Sequence, residues 1–193
     1  MHPIKHFGVI TRHRHAVIRN CFRAGIGPQG LFHDLSKYSP TEFWVGAKHF
    51  QGTRSPNAAE REARGYSSAW LHHKGRNRHH YEYWRDYSQA EHRNVPVQMP
   101  IRYFVEMVCD RIAASKIYRG EKYTDSHPLA YFLNSTDASE MHPKTAAFLR
   151  YVLTVLAEQG EDAVFSYLRA LDKRQDDYPP FDAPSNQSKG EHS

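Results

Sequence analysis

Apolar residues recur at helical spacing along almost the whole of this chain, and that periodicity restricts the fold more than any other feature. The clearest case is a helix predicted from Pro100 to about Tyr118. Its apolar positions follow the 3.6-residue period of a helix and are Ile101, Phe104, Val105, Val108 and Ile112. No convincing series of strand patterns accompanies it. The sequence therefore predicts an all-α fold built as a single-domain helical bundle.

The first half of the chain shows three further helical starts. A first helix is predicted from Phe7 to about Arg23, and it stops at the turn residues Gly25-Ile26-Gly27-Pro28. A short helix carrying residues 31–35 follows. The segment Ser39-Pro40-Thr41-Glu42 then predicts a helix start in which Ser39 caps, Pro40 takes the first position and Glu42 completes a capping box.

The remaining segments are less regular until the C-terminal third. Residues 51–65 are predicted to form a polar loop leading into a helix that reaches His73, and residues 74–94 are predicted to be irregular. Two packing helices are predicted at about Pro143–Gln159 and Glu161–Lys173. The domain is thus expected to span residues 1–174. The Pro-, Asp- and Ser-rich residues 175–193 are expected to be a disordered tail.

Composition narrows the function classes. The 193 residues carry a net charge of +5, and a basic balance favours anionic partners such as phosphates or nucleic acid, although a solvated basic surface explains it equally. The two cysteines, Cys21 and Cys109, form no CxxC pair, so we expect reduced core thiols rather than disulfides. No signal peptide or membrane span is expected, and the predicted location is cytoplasmic.

Histidine is the residue in excess: the chain has 14, most of them before position 93. Histidine and aspartate hold divalent first-row metals. On a helical wheel Phe7, Ile10, Val17, Cys21 and Phe22 define a buried stripe on the first helix. His13 flanks that stripe whereas His15 points away from it. His13 is therefore a candidate metal ligand, and the alternative is a histidine at the core edge bonded to a carbonyl.

The segment His33-Asp34-Leu35-Ser36-Lys37 supplies a second candidate group. His33 could bind one ion while Asp34 bridges two, which is the usual way to hold two cations a few Å apart. Lys37, one turn after Asp34, could meet a substrate phosphate. Its alternative role is that of a solvated lysine at a helix end.

The densest group lies in residues 71–84, where four histidines and three cations surround one glycine. His73, His79 and His80 are candidate ligands, and His73 is preferred over His72. Arg76 and Arg78 could bind an anionic substrate beside the metal. With its tyrosines and tryptophan, the same segment could instead stack on nucleic acid bases.

Asp110 lies opposite the centre of the apolar stripe of its helix, yet its own face also carries apolar residues. The helix is therefore expected to be covered on both sides. A buried carboxylate needs a cation or several donors. A metal ion would meet that need, and so would an ion pair with Arg111 or Arg102.

Taken in order, the pattern H…HD…H…HH…D over residues 7–118 resembles the HD-domain superfamily of metal-dependent phosphohydrolases. His33-Asp34-Leu35-Ser36-Lys37 is similar to the HDxxK motif of its HD-GYP branch, and His80 stands 30 residues before Asp110, a spacing similar to that branch. Residues 106–114 resemble its final helix. The GYP loop is missing, and the segments around HDLSKYSPTEF and HHYEYW also resemble an uncharacterised bacterial and phage group of HD-like proteins.

The resemblance implies a helical bundle with one or two divalent ions at its centre. In that interpretation His13, His33, Asp34 and Asp110 hold one ion, and Asp34, His73 and His79 or His80 hold a second. The metal could be Mn, Fe, Co, Ni, Zn or Mg, and the residues do not distinguish them. The predicted activity is hydrolysis of a small phosphate ester, with nucleotides among the candidates, in which Lys37, Arg76 and Arg78 neutralise the phosphate.

Two other functions are compatible with the sequence. Some HD-fold proteins hold two irons and activate dioxygen, and the same ligands suit iron. A basic nucleotide- or nucleic-acid-binding module is the non-enzymatic alternative, motivated by the charge and the segment around Arg76–Arg85. The oligomeric state is not predicted.

Overall fold

The computed structural model describes residues 1–52 and 54–181, and most of these residues are helical. The helices are α1 (Pro3–Arg23), α2 (Gly27–Gly30), α3 (Pro40–His49), α4 (Pro56–Arg64), α5 (Ser68–Lys74), α6 (Ile101–Arg119), α7 (His127–Leu133), α8 (Asp137–Glu140) and α9 (Pro143–Ala170). One antiparallel hairpin, β1 (Arg85–Ser88) and β2 (Arg93–Pro96), pairs Arg85 with Pro96. Short 3-10 turns occupy Leu35–Tyr38, Tyr81–Tyr83 and Gly120–Lys122. The mostly helical architecture agrees with the predicted class, and the hairpin is the exception.

The buried face of α1 agrees only in part with the predicted stripe. Phe7 and Phe22 are about half exposed, whereas Ile10, Val17 and Cys21 are buried as expected. The buried face is completed by polar residues, namely His6, His13 and Asn20. A prediction from apolar residues alone misses these positions, because α1 packs part of its buried face against a polar cluster and not against the hydrophobic core.

The apolar core lies between α1, α6 and α9. The predicted stripe of α6 is confirmed, since Ile101, Phe104, Val105, Val108 and Ile112 are all at most 2% exposed. The rings of Phe104 and Phe148 join α6 to α9 at a centroid distance of 4.6 Å. On the other side of α6, the Asn20 amide donates to the carbonyl of Cys109 at 3.0 Å and ties α1 to it. Helix α6 is thus covered on two sides.

Helix α9 contains the break that the sequence predicted between two packing helices. Gly160 has φ +83° and ψ 177°, a conformation that interrupts the helical backbone there. Beyond α9 the core extends past the predicted boundary at Gln175, because Tyr178 stacks on Phe148 at 4.6 Å and Phe181 lies 5.0 Å from it. The rest of the predicted tail, residues 182–193, lies outside the described residues.

The polar segment predicted as a loop contains helix α4. Ser55 caps its start by accepting a hydrogen bond from the backbone of Asn57, and Gly65 ends it with φ +80°. Both are ordinary helix signals, but the charged composition of residues 51–65 masked them. The predicted irregular stretch likewise contains the β hairpin, whose residues are mostly exposed.

Cys21 and Cys109 are both buried and unbonded, as expected for core thiols. Among the described residues, every helix is too short or too polar to cross a lipid bilayer.

Candidate metal centre

The His33-Asp34 dipeptide lies in a tight turn, not on the short helix that the sequence predicted. Helix α2 ends at Gly30, where a Cβ would lie 2.5 Å from the Cβ of Cys21, so only glycine allows α2 to pack this closely on α1. Asp34 has φ +53°, in the left-handed region that aspartate tolerates better than most residues. The Arg14 guanidinium donates to the carbonyl of His33 at 3.1 Å and holds the turn on α1.

The later histidines are positioned by α5 and the turn after it. Ser67 caps α5, and Glu60 accepts hydrogen bonds from the Ser67 and Ser68 hydroxyls at 2.6 and 2.7 Å. His73 lies in the last turn of α5, where Asn77 donates to its carbonyl at 2.8 Å. The chain then reverses and brings His79 and His80 back beside His73.

Three groups of side chains with metal-ligating atoms result, and the third, His33, His79 and Glu106, shares His33 with the first and His79 with the second. The first group consists of His13, His33 and Asp110. His13 Nε2 lies 2.9 Å and His33 Nε2 3.8 Å from Asp110 Oδ1. In this group a single ion could reach one atom of each residue, because all three atoms lie within 4.8 Å of one another.

The second group consists of Asp34, His73, His79 and His80, again with ligating atoms within 4.8 Å of one another. Asp34 Oδ1 lies 3.2 Å from His73 Nε2 and 3.4 Å from His79 Nε2. The Nε2 atoms of His73 and His80 are 2.9 Å apart. Both members of the His79-His80 pair therefore join the group, whereas of the earlier pair only His73 does, as predicted.

Asp34 links the two groups. Its other oxygen, Oδ2, lies 3.2 Å from His33 Nε2 and 2.6 Å from Lys37 Nζ. One carboxylate thus faces a histidine of the first group and two histidines of the second. That is the arrangement of a carboxylate that bridges two cations.

The cluster has the chemistry of a metal site. His33 Nε2, His79 Nε2 and both oxygens of Asp34 are buried and take part in no well-formed hydrogen bond. Buried polar atoms are nearly always paired, and here Asp34 Oδ2 forms an ion pair with Lys37, while two imidazole nitrogens and the other oxygen of Asp34 face one another without a well-formed hydrogen bond. Divalent cations coordinate such atoms directly, so the residues fit one or two metal ions.

Two carboxylates that the sequence interpretation missed support the histidines from outside. Glu42 contacts His72 Nδ1 at 2.6 Å and His73 Nδ1 at 2.8 Å. Glu106 contacts His33 Nδ1 at 2.9 Å and His79 Nδ1 at 3.1 Å. Metal-ligating histidines usually donate their second ring N–H to such a carboxylate. The capping-box prediction for Glu42 was wrong, and Ser39 makes no capping hydrogen bond.

The pKa values of the ionisable groups in the cluster are strongly shifted. Burial alone would lower the pKa of His33, but the carboxylates around it, above all Asp34, raise it to about 10. Burial would raise the pKa of Asp34, yet His33, Lys37 and His73 hold it well below its usual range. Burial and the neighbouring His79 and His73 lower the pKa of His80, which therefore stays neutral. The buried carboxylates remain ionised and attract positive charge.

The alternative ion pair for Asp110 is not formed. Arg111 instead pairs with Asp137 at 2.7 Å, and Arg102 donates to the Gln29 side chain at 3.2 Å. The imidazole of His13 is the nearest partner of Asp110.

A cavity of about 620 Å³ opens over the cluster and is lined by His13, Lys37, His73, His79, His80 and Asp110. Arg61 and Arg111 also line it, but Arg76 and Arg78 do not. Arg76 donates to the carbonyl of His72, and Arg78 donates to the Tyr103 hydroxyl at 3.1 Å. Of the three cations predicted to contact substrate, only Lys37 reaches the cavity.

No curated protein and no solved structure matches this sequence. Residues 2–155, which include every residue of the cluster, match the model of a family described as a family of unknown function, DUF5662. Because the match spans well over half of the chain, the protein belongs to the DUF5662 family.

Proposed function

We propose that this protein is a metal-dependent phosphohydrolase with an HD-type centre of two divalent ions that share Asp34. The observation that carries the proposal is that one buried carboxylate, Asp34, faces histidines of two ligand groups, with one oxygen toward each group. A structural site for a single ion would need no bridging ligand.

The charge of the cluster favours an anionic substrate once two ions are bound. Its four carboxylates are Asp34, Glu42, Glu106 and Asp110, and its one ammonium is Lys37. Histidines that bind metal are neutral, so three negative charges remain, which two divalent ions turn into a single positive charge. A centre of that sign attracts a phosphate ester.

The side chains around the centre would bind and orient the phosphate. Lys37 lies beside Asp34 and lines the cavity, so its ammonium can neutralise a phosphate oxygen next to the shared ligand. Arg61 lines the same cavity, has no ion-pair partner among the described residues and lies 5.6 Å from the Trp70 ring. Bound divalent ions would supply Lewis acidity and lower the pKa of a coordinated water.

The two other functions gain no specific support. A di-iron oxygenase would use the same ligands, and dioxygen uptake by iron-loaded protein without phosphate release would favour it over hydrolysis. For a nucleic-acid-binding module, the segment around Arg78 would need free cations, yet Arg78 donates to Tyr103 and packs near the Tyr83 ring.

The test is to measure metal content and phosphate release in the same preparations. Purified protein would be analysed for metals and assayed on a panel of phosphomonoesters and phosphodiesters after loading with each candidate ion. For wild type we expect about two ions per chain and hydrolysis of at least one ester. His33→Ala should lose the full metal content and the hydrolysis. His15→Ala, on the exposed face of α1, is the matched control and should keep both. Full metal content and full activity in His33→Ala would refute the proposal.

A further inference from the structure

Glu106 contacts a histidine from each of the two ligand groups. Its Oε1 atom lies 2.9 Å from Nδ1 of His33 and 3.1 Å from Nδ1 of His79. His33 belongs to the first group and His79 to the second. The two rings lie side by side with centroids 4.4 Å apart.

The geometry fixes which ring nitrogen of each histidine carries the proton. Glu106 is 6% exposed, and its Oε1 atom lies within hydrogen-bonding distance of both Nδ1 atoms. A carboxylate oxygen accepts hydrogen bonds, so both Nδ1 atoms donate to it. When metal is bound, each ring then has its Nε2 atom, which faces Asp34 and Asp110, available as the ligand.

Glu106 is itself held in place. Its Oε2 atom accepts a hydrogen bond from the Gln29 amide at 2.5 Å. It also lies one turn before Asp110 on α6, a helix packed on two sides. The carboxylate therefore has a fixed position relative to both ligand groups.

We infer that Glu106 is a positioning residue for both metal ions at once, a role that rests on the proposed dinuclear centre. One carboxylate oxygen sets the orientation and the tautomer of a ligand to each ion. Glu42 differs in this respect, because it contacts only His72 and His73 and so supports the second group alone.

This contrast gives the experiment a matched control. Zn²⁺ binding would be measured by titration calorimetry on wild type, Glu106→Gln and Glu42→Gln, with circular dichroism to confirm folding. Loss of a carboxylate behind a ligating histidine typically weakens metal affinity 10–100-fold. We expect Glu106→Gln to weaken both ions by about that factor and Glu42→Gln to weaken only one.

A second measurement needs no variant. In Zn²⁺-loaded protein with ¹⁵N-labelled histidine, long-range ¹H–¹⁵N spectra should show His33 and His79 both protonated at Nδ1. The inference is overturned if either ring is protonated at Nε2, if Glu106→Gln weakens one ion or none, or if wild type binds fewer than two ions. Two tightly bound ions without hydrolysis of any ester would instead refute the proposed phosphohydrolase and leave the role of Glu106 intact.

Discussion

If the proposed dinuclear centre forms, replacing Asp34 with asparagine should remove most of the stabilisation that bound metal ions provide. Asparagine has nearly the size of this side chain, which is only 1% exposed, but it removes the charge of the carboxylate that contacts histidines of both groups. Each ion then loses an anionic ligand, while His13, His33, His73 and the other histidines stay in place.

The expected magnitude follows from mass action. An ion present at 100 times its dissociation constant stabilises the folded state by about 2.7 kcal/mol, so two independent ions contribute about 5.4 kcal/mol. For a chain of 150–250 residues, 1 kcal/mol shifts the melting temperature by about 2–4 °C. Saturation of the wild type should therefore raise its melting temperature by roughly 11–22 °C, and the Asp34→Asn variant should show less than half of that shift.

The assay is thermal unfolding in EDTA and at increasing Zn²⁺ concentration, with the shift taken within each protein so that effects of the substitution on the metal-free state cancel. Asp162→Asn is the control, because Asp162 is fully exposed and lies far along the chain on α9. It should shift as the wild type does. If Asp34→Asn shows the full wild-type shift, Asp34 is not a shared ligand and the assignment of the centre is wrong.

Three further changes test other parts of the structure. Lys37→Met should lower kcat about 10²–10³-fold, the usual cost of one electrostatic donor at a reacting oxygen, while metal content measured by elemental analysis stays unchanged. Glu60→Gln should destabilise the fold by about 1–3 kcal/mol, because the carboxylate accepts several hydrogen bonds at the start of α5. These bonds lower the folded-state pKa of Glu60 against the opposing effect of burial. Its contribution is therefore fully present above the ordinary glutamate pKa of 4.5 and is lost as the pH falls through the folded-state pKa, so urea unfolding should show a steeper loss of stability in acid for wild type than for the variant. Gly160→Ala should cost about 1–3 kcal/mol, because Gly160 has φ +83° and ψ 177°, a region that essentially only glycine occupies, and calorimetric unfolding would contradict this if stability were unchanged.

The sequence was sufficient to identify which side chains come together, because few residue types bind divalent ions and they recur at helical positions. His13, Asp110 and the histidines at 73, 79 and 80 were predicted as ligands, and the structure brings them together around Asp34. Local conformation was harder to predict. The His33-Asp34 segment was expected on a helix but forms a turn, since the close packing of Gly30 on Cys21 is a tertiary contact that no local pattern reveals.

The supporting carboxylates could not be found in the same way. Glu42 satisfies the spacing of a capping box, and only the folded chain shows that it instead reaches His72 and His73 across to α5. The position of Glu106 does indicate a buried carboxylate, because it lies one turn before Asp110 on a helix predicted to be covered on both sides. A carboxylate at that position has the same need for a partner as Asp110.

The division of α6 explains why both the apolar stripe and the polar cluster can be stable. One side of α6 packs Phe104 against Phe148 of α9 and forms a continuous apolar core. The opposite side presents Glu106 and Asp110 to histidines from α1 and from the segments after α2 and α5. Because the groups buried there are ionised, this side of α6 gains little hydrophobic stabilisation, and its carboxylates need positively charged partners. The exposed Phe7 and Phe22 of α1 follow from the same division, since the helix turns its histidines, and not its phenylalanines, toward the centre.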